Sequence, residues 1–400
     1  MVDGWATKRA RACVSCALRL LCAVDSRWLD VSISLSMYSL VWRTFSWSLD
    51  AFDTDVSTLR DTSTWVIHGT NIMSYLGLLL LVFFPPVYIV QTIVLTLRAH
   101  PAHFVDHIFV CAQFVVAVLT TISNFSGTVD LVLVPLVSDL LLHVWQWCAV
   151  LSACVAVLAL PLYITASGPR VWHMLWLPCV VCSASASDLS LVLQAQDASS
   201  LLSLGFVMWG ASIIPGVCFA VGHIRRSLRS FELPTLISPL SVVSQLALGI
   251  MALGVQSKRV WGGTVGPATA PLLLGELAMA AGAVLGLVLW AASAAWFVNA
   301  HVLVAWMQWS HGSSGWSISV CKVAYPVASF TMATIYVARV WSARSALVCS
   351  QFLIAYLSFV ILIVPVARAA VGTARLIRRM CKKRVTSDRR LPTYGTIQSM

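Results

Sequence analysis

Tyr325-Pro326-Val327-Ala328-Ser329-Phe330-Thr331-Met332-Ala333-Thr334-Ile335 decides the reading of this chain. The stretch lies inside a long apolar segment, with a proline near its start and Ser329, Thr331 and Thr334 through its middle. A helix built only to face lipid is filled with Leu, Ile and Val. This one has a kink point at Pro326, tolerated in a membrane helix because neighbouring groups satisfy the freed backbone carbonyl. The strip of small and hydroxyl side chains predicts a helix that lines an interior, with the rest of the chain as its surround.

That surround is strongly apolar. Of 400 residues, 59% are hydrophobic and 10% are charged, and the mean hydropathy is +0.86. No water-soluble domain has that balance. Apolar runs of span length recur from end to end, which predicts an all-α polytopic membrane protein. The runs are too long and continuous for barrel strands. Ten spans fit, at 30–46, 70–97, 103–125, 136–164, 171–188, 200–223, 236–256, 271–305, 317–338 and 345–371. The chain then divides into a cytoplasmic lead-in (1–29), a ten-helix membrane domain (30–371) and a basic tail (372–400). No polar stretch reaches the roughly 50 residues a soluble domain needs.

Charge sets the expected orientation. Residues 374–400 carry eight basic residues against one acid, Asp388, and so supply +7 of the net +11. In a membrane protein such a tail orients the chain and touches lipid headgroups; it is not a nucleic-acid site. Arg98, Arg170, Arg225, Arg226 and Arg229 fall on the same side, and Asp50, Asp53, Asp55, Asp61, Asp130, Asp188 and Asp197 on the other. Lys258, Arg259, Arg339 and Arg344 break the pattern. The balance predicts an integral multi-pass protein with both termini cytoplasmic, in the plasma membrane or an internal one. The sequon Asn124-Phe125-Ser126 sits too close to the membrane for expected use.

Four further stretches carry a family resemblance. Trp176-Leu177-Pro178 opens the fifth span. Leu233-Pro234 leads through Pro239 and Gln245 to Gly249-Ile250-Met251 and Leu253-Gly254 in the seventh. Leu287, Leu289-Trp290 and Trp296-Phe297 mark the eighth, and Tyr325-Pro326 through Ala333-Thr334 the ninth. In this order and spacing they resemble the tellurite-resistance/dicarboxylate transporter family, which includes fungal malate permeases, sulfite efflux pumps and plant slow anion channels. His100-Pro101 is a weaker match. The resemblance implies ten helices in five hairpins, odd-numbered helices in an inner ring around a central pore, even-numbered helices as a sheath, and a homotrimer. It also implies an aromatic plug beside the ninth-span proline, here Tyr325. The chain departs from the family where serine stands for glycine: Ser34, Ser36 and Ser39 in the first span, Ser183, Ser185 and Ser187 in the fifth, Ser241 and Ser244 in the seventh.

The function expected is therefore transport of a small anion such as sulfite, malate or another C4-dicarboxylate, through a channel or a coupled transporter. A pore for small anions needs kinks, hydroxyl or amide dipoles and a gate rather than formal charge along its length. Tyr325, Pro326, Ser329, Thr331, Lys322, Gln245, Ser183, Ser185 and Ser187 are the candidate pore and gate residues. Against that stands the plainer reading, in which the hydroxyls bond to their own helix and Tyr325 is a packed aromatic. Lys322, near its span's start, either attracts anions or snorkels to the interface. Asp139 and His143, four apart on one helix face, are a candidate proton relay or a local pair. Asp106 and Glu276 also fall in or at the ends of spans. The competing function is a polytopic receptor or structural protein whose ancestral pore is closed. Motifs for zinc hydrolysis, nucleophile elbows and phosphate-binding loops are missing, so no enzyme chemistry and no cofactor is expected. Cys13-Val14-Ser15-Cys16 has no second pair, so no metal site is expected either.

Overall fold

The computed structural model describes residues 27–51, 68–69, 71–83, 86, 103–126, 134–165, 175–228, 236–262, 269–311 and 320–363. The lead-in up to residue 26, the basic tail, the CxxC pair, Leu233-Pro234 and His100-Pro101 lie outside them, as do the side chains of Lys322 and Asp106. Ten helices are seen among the described residues: α1 Arg27–Ala51, α2 Asn71–Phe83, α3 His103–Ser126, α4 Val134–Thr165, α5 Leu177–Leu189, α6 Ala195–Ser227, α7 Pro239–Gly262, α8 Thr269–His311, α9 Val320–Trp341 and α10 Arg344–Ser358. The last runs into a π-turn over Phe359–Ile363. No strand occurs among the described residues.

Seven of the ten are long and apolar enough to cross a membrane by themselves. The exceptions have physical reasons. α1 is diluted by its serines, Asp30 and Arg43. α5 has 13 residues, about 20 Å of rise, and begins after Trp176 because Pro178 suits only a first turn. α2 is described over 13 residues. Where the expected spans were too short, polar residues carry the helix past the apolar run. α7 continues through Ser257, whose Oγ donates to the Leu253 carbonyl (2.7 Å), and through Lys258, which pairs with Glu276 of α8 at 3.0 Å. That pairing gives the misplaced Lys258 a partner. The pair is about half exposed on both sides. Lys258→Ala should therefore lower stability by less than about 1 kcal/mol, read as the thermal midpoint of purified protein.

Burial sorts odd helices from even ones. Nine-tenths of the α7 and α9 spans is inside the molecule, against about one-sixth of α8. Every residue of α5 except Asp188 is buried. The odd helices touch in a closed ring, α1 to α3 to α5 to α7 to α9 and back to α1. Each of α4, α6, α8 and α10 lies in the groove between two ring neighbours. Cross-contacts fix the directions. Asp30 meets Gln113 and Arg43 meets Asn124, so α1 and α3 run parallel. Gln245 meets Ser329, and the same cavity then takes Ala252 beside Tyr336, so α7 and α9 also run parallel.

The sheath is fastened to the ring by indole N–H groups. Trp145 of α4 donates to Ser185 Oγ of α5 (3.0 Å), Trp209 of α6 to the Leu246 carbonyl of α7 (2.9 Å), and Trp290 of α8 to Thr334 Oγ1 of α9 (3.0 Å). An aromatic with a polar tip suits this place, since its ring packs while its donor finds a partner. The outer face of α8 presents Leu273, Leu277, Val284, Val288, Val298 and Val302, each more than half exposed. Water would not support an apolar stripe of that length; lipid does. The α9–α10 turn is tight: Ser342 takes a left-handed φ of 48°, and Ala343 N–H reaches back to the Ala338 carbonyl at 3.0 Å.

Candidate functional site

The five ring helices enclose one small cavity, and all five supply its wall. Met37 and Leu40 come from α1, Thr120 and Ser123 from α3, Val181, Ala184, Ser187 and Asp188 from α5, Gln245, Leu248 and Ala252 from α7, and Met332 and Tyr336 from α9. On each helix these positions recur at three, four or seven residues, the spacing of a single helical face. The cavity holds about 20 Å³ for the centres of water-sized spheres. That is room for about one water.

One face of α9 looks into this axis. Tyr325, Ser329, Met332 and Tyr336 fall four, three and four residues apart. Ser329 donates to the Tyr325 carbonyl (2.9 Å) and accepts from Gln245 Nε2 across the ring (3.0 Å). The Tyr325 hydroxyl is buried beside Ser329 and Gln245 yet makes no hydrogen bond of normal geometry. Ser244 Oγ on the adjoining helix is likewise buried and unpartnered. Such groups cost about 1–3 kcal/mol each unless something polar visits them. The opposite face of α9 is packing: Phe330 stacks on Trp290 and Phe297 of α8, at centroid distances of 6.5 and 5.2 Å.

The remaining sequence candidates fall in different places. Ser187 is on the cavity wall. Ser183 donates to the Val180 carbonyl and touches Gly249 of α7, while Ser185 turns outward to Trp145. Thr331 donates to the Val327 carbonyl, the backbone role expected of a packing hydroxyl. Pro326 is buried in α9 and leaves the Lys322 carbonyl without an intrahelical donor. Asp139 and His143 are both exposed on the outer face of α4, away from the cavity. Their expected pair does not form: His143 Nδ1 meets Gln146 Oε1 at 3.3 Å. Helical spacing put them on one face, and that face is the one turned outward. Among the described residues no three His, Cys, Asp or Glu gather as a metal would need.

Two charged residues were not among the candidates. Asp188, read from sequence as a loop acid, is the last charged group of α5 and lines the cavity. Arg43, passed over inside the first span, is buried on α1. Its guanidinium donates to the Asn124 carbonyl and, at 3.4 Å, to Asn71 Oδ1. Asn124 itself donates to the Ser36 and Thr120 carbonyls (2.6 and 3.2 Å) and is buried, which leaves no room for a glycan. A signal existed for both residues, since ionised side chains within spans are costly and face interiors.

A family model described as voltage-dependent anion channel (SLAC1) matches residues 24–370, which takes in all ten helices. No curated protein sequence matches the chain.

Proposed function

The chain belongs to the voltage-dependent anion channel (SLAC1) family, and from that premise we propose that it passes small anions along the axis of its helix ring, with Tyr325 as the gate. It is a multi-pass membrane protein of a family of anion channels and transporters, not of enzymes. The single observation that carries the finer reading is the central cavity, walled by all five odd helices and polar on every side but α1. Hydroxyls of Thr120, Ser123, Ser187 and Tyr336 and the Gln245 amide can replace water around a passing anion. A small oxyanion or carboxylate, sulfite or malate among them, suits donors of that kind. Gln245, Ser329 and Ser187 line the path in this reading; Ser183 and Thr331 shape it from behind.

The cavity admits about one water, so the conformation described corresponds to a closed pore. The basic tail and the Arg225 and Arg226 end of α6 would face the cytoplasm, with the N-terminal ends of the odd helices and Tyr325 on that side. Lys322, one turn before Tyr325, would then sit at the inner mouth. The three-way assembly implied by the family resemblance would use the apolar sheath as its contact.

A second reading has its own support. Met37, Leu40, Val181, Leu248 and Met332 fill much of the axis, as expected of a membrane receptor or structural protein whose pore is permanently closed. Flux decides between them. The protein, purified into liposomes under an anion gradient, should develop a potential that follows nitrate, chloride, malate or sulfite and ignores the cation. Silence in wild type and in Tyr325→Ala, with isotope flux also at background, would leave only the closed-pore reading.

A further inference from the structure

A fixed carboxylate inside an anion path needs an explanation, because it repels what it should pass. Asp188 lines the cavity at the C-terminal end of α5, and it is the one residue of that helix that is not buried. Arg43 of α1 bonds the Asn124 carbonyl, and Ser123, the residue before it, lines the cavity together with Asp188. The two do not close into an ion pair. Arg43 bonds the Asn124 carbonyl and Asn71 instead, and Asp188 shares the cavity wall with Ser123. Asp188 is therefore on the cavity wall, while Arg43 sits behind that wall, one turn past Leu40, with its partner's place taken by neutral groups.

Cations and anions inside a membrane protein are costly and are kept where they act on something. Arg43 is rigidly held and nearly out of contact with solvent, with a flat guanidinium suited to two oxygens of one anion. Asp188 is at the C-terminal tip of α5, beside Ser123 and Ser187 on the cavity wall. This inference rests on the pore reading above. We propose that Arg43 and Asp188 form a tethered-anion site: the Asp188 carboxylate stands in for a small oxyanion in the field of Arg43, and a permeant carboxylate or oxyanion must displace it. Proton uptake by Asp188 has the same effect as its displacement, since either leaves Arg43 unopposed. Facing Asp188 are Arg43 from α1, Tyr336 from α9 with Arg339 one turn beyond, the neutral Ser123 and Thr120 from α3, and Gln245 from α7. Neither α4 nor α6 adds a charge to the cavity wall. Asp188 is then the only carboxyl there whose proton changes the field.

The test measures binding apart from transport. Purified full-length protein in detergent is titrated with nitrate, and the shift in its thermal midpoint gives the affinity. Near neutral pH, Asp188→Asn should bind nitrate at least about tenfold more tightly than wild type, because the competing charge is gone. Lowering the pH to about 3.5, below the ordinary aspartate range, should bring wild type toward the variant and leave the variant unchanged. The double variant Arg43→Gln/Asp188→Asn, which removes both charges together and avoids stranding one, should lose the gain. Equal nitrate affinity in wild type and Asp188→Asn at both pH values would overturn the proposal, as would a double variant that binds as tightly as Asp188→Asn. A protein with the expected binding pattern but no anion flux would instead overturn the pore reading and keep the site. A conducting protein without the pattern would do the reverse.

Discussion

Tyr325→Ala should raise the anion current about tenfold or more over wild type in cells expressing equal amounts at the surface, because an aromatic ring at a constriction blocks both the ion and its water. The cavity stops short of Tyr325, although Ser329, Met332 and Tyr336 on the same α9 face reach or adjoin it. In the proposed gating reading the buried ring closes that end. Its hydroxyl makes no hydrogen bond of normal geometry, so the side chain is less well seated than a fully bonded core tyrosine. Removing a packed aromatic also destabilises, typically by about 3–5 kcal/mol. Loss of current from poor folding and loss of a gate therefore push in opposite directions, which makes a rise diagnostic. Tyr325→Phe separates the two contributions further. It keeps the ring and drops the unpartnered hydroxyl, so the current should stay at the wild-type level and the thermal midpoint should hold or rise. If Tyr325→Ala reaches the surface and carries no more current than wild type, the residue packs and does not gate.

Most of the architecture was legible because lipid imposes it. Continuous apolar runs gave α4 to within two residues at each end and α6 and α8 to within six, and the family resemblance supplied the odd and even roles that burial then reproduces. The first span was set too short, at 30–46, because its serines lower hydropathy, yet most of the described side chains of α1 are buried. Burial against protein does not require the hydropathy that burial against lipid does. Direction around a helix was harder to read. Ser183, Ser185 and Ser187 look alike in sequence, but two residues turn a helix by about 200°, so one reaches the cavity, one faces Trp145 and one packs on Gly249. The same rotation put Asp139 and His143 outside. Asp188 was missed for a different reason: a charge at a span's end reads as loop until the ring closes around it.

Gly282→Leu should remove most of the folded protein from the membrane, with any survivor melting well below wild type. The family pattern of glycine-rich inner helices is largely replaced here by serine, but the seam between α7 and its sheath partner α8 keeps its glycines. A Cβ at Gly282 would lie 2.6 Å from the Ile250 carbonyl oxygen. One at Gly275 would lie 3.0 Å from the Ser257 carbonyl, and one at Gly254 2.9 Å from that of Ala278. In each case the obstacle is backbone, which cannot rotate away as a side chain can. Small residues that let two backbones touch are the main source of helix association in lipid, where no hydrophobic drive remains. Even Gly282→Ala should cost about 1–3 kcal/mol, the usual range for overpacking. Gly222→Ala on α6 is the control: nothing lies within 4 Å of its Cβ position, so its midpoint should hold or rise slightly, as helix propensity favours alanine. Because Gln245, Leu248 and Ala252 sit on the other side of the same α7, a Gly282→Ala protein that folds has had one wall of the cavity pushed inward. Its conductance should therefore fall with its stability, and a variant that melts early but conducts normally would uncouple the seam from the path.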